Sequence, residues 1–340
     1  MMASKRQARF AAGKIPPETL LRTVYTNLGR RDKRVLVGPG IGRDSAAVKQ
    51  DGTVLVFTAD PITGTPSHIG QHSVEINAND IATTGARPKW YLCTILLPIG
   101  TREKALKEIA GEIHDTAKRL GITVVGGHTE ATPGINRPII SGFMIGETRG
   151  RILSAEDGRP GDRILLTKTA GLEGTAILAR DKATLLKKKA VPDKLLKLAR
   201  SYQEHISVVE EALLTAKLRG VHALHDPTEG GVLNGLWEMA EASNLGIEVW
   251  ADKIPVAPAT QVICLTLGLD PLKLMSSGTL LLAVEGPKRW MVQRALLKFP
   301  GRLTEVGKLT RRDKGRVLVK HGKRHVLTAV PQDELYKLTR

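Results

Sequence analysis

Cysteine is scarce in this sequence: two residues, Cys93 and Cys264, in a chain of 340. Each lies in an apolar run, far from the other and in no metal-ligand spacing. That excludes a disulfide framework or a zinc cluster and predicts two buried thiols. Aromatic residues are few as well, 4% of the chain, which leaves little with which to stack nucleic-acid bases. No stretch approaches the ~18 consecutive apolar residues that cross a bilayer. The basic start Met1-Met2-Ala3-Ser4-Lys5-Arg6 is not followed by the apolar segment of a secretory signal, so a soluble protein of the reducing cytoplasm is expected. A Walker-type phosphate loop is missing too, because no Gly-rich turn ends in Lys followed by Ser or Thr.

Positive charge, by contrast, is abundant: the formal net charge is +17 and residues 302–323 are densely basic. Such a surface attracts polyanions, but no aromatic interleaving or RNA-binding signature accompanies it, so a solvated basic face is expected rather than a nucleic-acid site. With 41% apolar residues the chain is long enough for two cores. A helix is expected over residues 17–28, and the Asp51-Gly52 turn between apolar runs predicts a two-residue hairpin that delivers Asp60 to a strand end. Apolar spacing predicts a helix over 70–85 with Ser73, Asn77, Asp80 and Thr84 as a polar stripe.

Further along, a strand is expected within 88–98, a helix over 102–120, and strands at 122–125 and 138–147. The Gly- and Pro-rich stretch around 154–162 marks a boundary. Beyond it, helices are expected over 174–186, 193–218 and 228–243, with strands at 163–167, near 247, and at 279–284, 303–306 and 316–319. The class is therefore α/β or α+β. The expected organisation is an N-terminal helical segment (1–30), a first domain (31–155), a second domain (156–325) and a tail (326–340).

The chemistry concentrates in a few motifs. Gly38-Pro39-Gly40-Ile41-Gly42-Arg43-Asp44 is a Gly-rich turn ending in a carboxylate, and Asp60 and Asn79-Asp80 follow within forty residues. Glycine lets backbone N–H groups approach phosphate oxygens, and Mg²⁺ bridges carboxylates to phosphates. Asp44, Asp60 and Asp80 are accordingly candidate metal ligands, with Gly40 and Gly42 in the phosphate loop. In Asp226-Pro227-Thr228-Glu229-Gly230-Gly231, two glycines at a helix start expose N–H groups suited to an anion.

Taken in order, these segments together with Asn77–Pro88 and Val125-Gly126-Gly127-His128-Thr129-Glu130 resemble one superfamily. It contains aminoimidazole ribonucleotide (AIR) synthase, the hydrogenase maturation protein HypE, thiamine monophosphate kinase and selenophosphate synthase. The resemblance runs from about residue 13 to 320. It implies a two-domain PurM-like fold whose N-terminal sheet forms a homodimer, with ATP between the domains and Mg²⁺ on Asp44, Asp60 and Asp80. It further implies a supporting role for Asn79 and nucleotide contacts from Asp226, Thr228, Gly230 and Gly231.

Two departures stand out, since His128 replaces an acid of the relatives and Ser45 a second Asp. His128, Glu130 and Lys168 are the candidate catalytic groups, with Arg43 a further cation. The phrases at 161–178 and 225–232 are most similar to HypE-like proteins. The absence of cysteine after Cys264 closes the self-thiocarboxamide route of HypE itself, and no reactive cysteine stands near the Gly-rich loop for selenophosphate chemistry. The expected activity is ATP- and Mg²⁺-dependent phosphorylation of an acceptor oxygen, on a small molecule or a protein-borne group. A cyclo-ligase, a small-molecule kinase and a non-catalytic ATP-binding assembly protein are the alternatives.

Overall fold

A computed structural model of the protein describes residues 10–338; the basic N-terminal residues 1–6 lie outside them. The first half builds a six-stranded sheet: β1 (Val35–Val37), β2 (Ala46–Gln50), β3 (Thr53–Ile62), β4 (Arg87–Pro98), β5 (Thr123–Thr132) and β6 (Ile139–Thr148), in the order β1-β2-β3-β6-β4-β5. The β4–β5 pair is parallel and the rest are antiparallel. The second half builds a seven-stranded sheet from β7 (Arg163–Leu166), β8 (Val221–His225), β9 (Gly246–Trp250), β10 (Leu281–Val284), β11 (Thr304–Thr310), β12 (Arg316–Lys320) and β13 (Lys323–Val326), ordered β13-β12-β9-β11-β7-β10-β8. Helices and mixed sheets alternate, as the sequence pattern predicts.

The Asp51-Gly52 turn takes its expected form. Gln50 pairs with Thr53, and Asp51 and Gly52 adopt φ of 45° and 79°, the left-handed pair whose twist matches a two-residue hairpin. β3 outruns β2, which pairs with it only as far as Phe57. Along the unpaired stretch, Asn77 takes the place of a strand: its Oδ1 accepts the Asp60 N–H at 3.0 Å and its Nδ2 donates to the Asp60 carbonyl at 3.3 Å. On the other side Asp60 pairs with Gly142, where an added Cβ would stand 2.5 Å from Asn77 Nδ2.

The helix Ile69–Thr83 departs from the amphipathic surface helix that its polar stripe predicts. Apart from Gln71, all of its residues are buried, because the helix is wedged between β3 and β6 on one side and β8 and the helix Val209–Ala216 of the second half on the other. Its polar side chains meet protein rather than water. Asn79 Nδ2 donates to the Ile206 carbonyl at 3.0 Å and its Oδ1 accepts the Val208 N–H at 2.8 Å. One apolar cluster spans the boundary, joining Val74, Ala78 and Ile81 to Val208, Ala212 and Leu224.

The same contact explains why the helix expected over 193–218 breaks into Asp193–Ser201, a 3-10 turn Tyr202–His205 and Val209–Ala216: the intervening loop is fastened to Asn79. The first helix is shorter than expected, Pro17–Thr23. Cys93 and Cys264 are buried, as predicted.

Gly142→Ala should drive its methyl group into Asn77 and release the Asp60 backbone. A loss of about 1–3 kcal/mol, seen as a lowered melting temperature by circular dichroism, is expected; an unchanged melt would contradict this packing.

Candidate functional site

The Gly-rich turn, the end of β3, the buried helix and the end of β8 converge between the two halves. Asp44 Oδ2 lies 3.1 Å from His225 Nδ1, His225 Nε2 lies 3.1 Å from Glu238 Oε2, and Glu238 Oε1 lies 3.0 Å from Lys14 Nζ. Burial opposes charge on all four groups, but their alternation of sign outweighs it. Asp44 is held at about 2 by His225 and Lys14, and His225 is raised to about 10 by Asp44 and Glu238. Lys14 is raised above its ordinary value by Glu238 and Asp44. Both ring nitrogens of His225 thus face carboxylates.

The remaining carboxylates lack such compensation. Burial first, then the charge of Asp44, raises Asp60 to about 7; burial with Asp60 and Asp226 nearby raises Asp80 well above the usual range. Asp226, 1% exposed, has neither oxygen in a hydrogen bond, and burial and Asp44 raise it far above normal. Asp80 Oδ2 has one partner, the Thr58 hydroxyl at 2.8 Å. Asp44, His225 and Asp226 bring potential donor atoms within 4.8 Å of one another. Hard carboxylate oxygens, crowded and in Asp226 without hydrogen bonds, are the donor set that Mg²⁺ takes, so the residues fit a hard divalent cation.

Beside this cluster opens a cavity of about 370 Å³, within the range of small-molecule sites. Asp60 and Lys14 stand on its wall with Thr228 and Glu229, and Ile15, Ile62, Ile76, Ile177 and Met275 supply apolar surface. The C-terminal segment closes one side: Tyr336 also lines the cavity and donates to Glu229 Oε1 at 2.6 Å.

Two family models match the chain: the N-terminal domain of AIR synthase related proteins over residues 42–148, and their C-terminal domain over residues 159–320. A hydrogenase expression/formation protein of Methanocaldococcus jannaschii is 31% identical over 325 residues, 91% of each chain. Carbamoyl dehydratase HypE of Escherichia coli is 30% identical over 266 residues, 76% of each chain. The chain belongs to the AIR synthase related family. The crystal structure of E. coli HypE superposes with a TM-score of 0.72 at 28% identity, covering 83% of this chain and 87% of that one. A HypE solved in complex with ATP shares the fold, with a TM-score of 0.69 at 21% identity over 95% of this chain and 97% of that one. The two-domain PurM-like fold and the HypE-like character read from the motifs are those of this family.

Within that fold, Asp44, Asp60, Asp80 and Asp226 are brought together, and Thr228 borders the cavity. Other predicted site residues are engaged elsewhere. Lys168 is buried: its Nζ pairs with Glu211 at 2.8 Å and donates to the Gly278 carbonyl at 2.8 Å, which leaves no ammonium for a phosphate. Asn79 is a fastener between the halves, and Asn77 supports the aspartates instead. His128 and Glu130 sit on the exposed edge strand β5, 3.2 Å from each other, and neither borders the cavity.

The glycines have structural roles as well. At Gly42 an added Cβ would lie 2.7 Å from the Glu238 carbonyl, so this glycine admits the helix Gly231–Ala242. Gly40 has only the flexible Arg43 side chain nearby, and Arg43 itself pairs with Glu156. At the helix start, the Gly230 N–H is taken by Asp333 Oδ2 at 2.7 Å and the Gly231 N–H by the Thr228 carbonyl at 3.1 Å. The chain's own carboxylate thus satisfies the anion site that the two glycines predict. Lys14 and Glu238 lie outside the sequence motifs, and His225 stands in one of them without an assigned role; the Gly13-Lys14 pair ahead of the prolines and the histidine beside Asp226 are the available signals.

Glu173 also lines the cavity, and burial raises its carboxyl to about 7 from 4.5. The folded state therefore holds its proton more tightly than the unfolded chain. The associated stability is complete below pH 4.5 and is lost as pH climbs through 7. Glu173→Gln should flatten the decline in melting temperature between pH 5 and 8, gaining on the order of 2–3 kcal/mol at pH 8; a decline identical to wild type would contradict the assignment.

Proposed function

We propose that the protein is an ATP- and Mg²⁺-dependent enzyme that activates an acceptor oxygen, an amide carbonyl or a similar group, by phosphorylation. The observation that carries this reading is the convergence of Asp44, Asp60, Asp80 and Asp226 from both halves, with Asp60 on the rim of one cavity and both Asp226 oxygens buried without hydrogen bonds. Membership of a family that includes carbamoyl dehydratase HypE, and a fold shared with a HypE solved with ATP, support nucleotide chemistry at that rim.

Bound at the aspartates, Mg²⁺ would neutralise phosphate charge and favour its transfer. The chain's own groups do the rest. His225, doubly paired, orients Asp44 and fixes its charge. Lys14, half exposed beside Glu238, is the cation placed to meet a phosphate oxygen. Thr58 and Asn77 fix Asp80 and Asp60. The cavity walls exclude water that would otherwise intercept an activated acceptor. Both cysteines are buried, and burial pushes the Cys264 thiol up to about 12, so neither offers a thiolate to carry the acceptor. The acceptor is then a small molecule or a group borne by another protein. For the homodimer, the exposed edge strand β5, with Val124 and Val125 uncovered, is the surface of choice.

Incubation of purified protein with ATP, Mg²⁺ and a panel of carboxamide and phosphate-ester acceptors should release ADP. Asp80→Asn and Asp226→Asn should each lower turnover at least about tenfold. AMP as the product, or full turnover in both variants, would overturn the reading.

A further inference from the structure

Glu229 stands on the cavity wall as an acid without a counterion. It is partly buried, and among the described residues no lysine, arginine or histidine forms an ion pair with it. In a chain of net charge +17 cations are plentiful, and other acids collect them: Glu248 on β9 meets Lys308 at 3.3 Å and Arg324 at 3.0 Å. The cavity wall holds two further acids, Asp60 and Glu173, against one cation, Lys14, which is engaged by Glu238. The cavity is therefore acid-rich inside a basic protein.

The C-terminal segment grips this residue at two points. Tyr336, 6% exposed, donates its O–H to Glu229 Oε1 at 2.6 Å, and Asp333 Oδ2 accepts the N–H of the adjoining Gly230 at 2.7 Å. Asp333 Oδ1 accepts the Leu335 N–H at 2.8 Å, so the gripping segment is itself braced. Glu229 Oε2 lies beside Gly13, where an added Cβ would stand 3.8 Å from it, and Gly13 belongs to the same wall. Holding Tyr336 requires an acceptor oxygen and no charge, so a glutamine would serve there. The charge is left for another partner. With Ile15, Ile177 and Met275 on the wall it acts in surroundings of low dielectric, where an ion is felt strongly.

We infer that Glu229 selects a small acceptor bearing a cationic nitrogen, held against the Glu229 carboxylate while the oxygen to be phosphorylated faces the aspartates. The inference rests on the nucleotide-dependent reading above and adds the charge of the acceptor, which that reading leaves open. An anionic acceptor would meet Glu229 with like charge, and a neutral one would leave it unpaired.

Three carboxamides of similar size serve as probes: 4-aminobutanamide, which ends in an ammonium, pentanamide, with a methyl group there, and succinamate, which ends in a carboxylate. Each is titrated by calorimetry into the full chain with Mg²⁺, both with and without the β,γ-methylene analogue of ATP. Wild type should bind 4-aminobutanamide at least about tenfold more tightly than pentanamide, with succinamate weakest. Glu229→Gln keeps an acceptor for Tyr336 and should bind 4-aminobutanamide and pentanamide alike. Tyr336→Phe, which frees the carboxylate without removing it, should shrink the preference and serves if Glu229→Gln does not fold. Wild type that binds pentanamide or succinamate as tightly as 4-aminobutanamide, or binds none of the three, would overturn the inference, as would a Glu229→Gln variant that keeps the preference. So would a Glu229→Gln variant whose Mg²⁺-dependent binding of the analogue falls instead, since Glu229 would then be a metal ligand. The nucleotide reading fails separately, if wild type does not bind the analogue, and the titrations without it still score the acceptor.

Discussion

The fold is organised around an electrostatic conflict: two buried aspartates, Asp80 and Asp226, lie within reach of the more open Asp44 and Asp60 where the two halves meet. Protein alone resolves part of it. The alternation Asp44, His225, Glu238, Lys14 neutralises one edge by interleaving signs at about 3 Å, a geometry in which Coulomb attraction offsets desolvation. Asp60, Asp80 and Asp226 are left beyond that chain, their carboxyls pushed upward by burial and by one another. A buried carboxylate without partners is a cost that a folded protein sustains only where something else is to bind.

The constraint reaches well beyond the site. Asp80 is positioned only because the helix that bears it is buried on nearly all sides, and that requires the second half to receive its polar stripe. Asn77 and Asn79, two residues apart, act in opposite directions, Asn77 holding the Asp60 backbone and Asn79 clipping the loop at Ile206–Val208. The glycines at 42, 142 and 231 let elements approach so closely that a Cβ would collide. Stability and site geometry are therefore one problem here, and the domain interface cannot loosen without disturbing the aspartates.

Much of this is legible in the sequence, for physical reasons. Glycine followed by aspartate at 42–44, aspartate at a strand end and Asn-Asp in a helix are local signals, and the Asp51-Gly52 hairpin is dictated by two left-handed residues. What escapes is set by tertiary contact. The periodicity of residues 70–85 shows a polar stripe but not what faces it, so Asn79 reads as a site residue when its role is structural. β8 is hidden because His222 and His225 interrupt its apolar run, although each is satisfied by an acid distant in sequence, Asp162 and Asp44. Lys168 reads as an available cation in sequence; only the fold reveals Glu211 beside it. The Gly230-Gly231 turn presents free N–H groups in sequence, and Asp333, about a hundred residues later, takes one of them.

The central claim is that the interdomain aspartates need a divalent cation to relieve their mutual charge. It is tested most directly by the thermal stability of the metal-free protein at pH 8, measured with and without millimolar Mg²⁺, in wild type and in Asp226→Asn. The account predicts that Mg²⁺ raises the wild-type melting temperature. It also predicts that Asp226→Asn melts higher than wild type without metal, because one buried charge is gone, and responds less to Mg²⁺. A wild type indifferent to Mg²⁺, with an Asp226→Asn variant that melts lower in its absence, would contradict it.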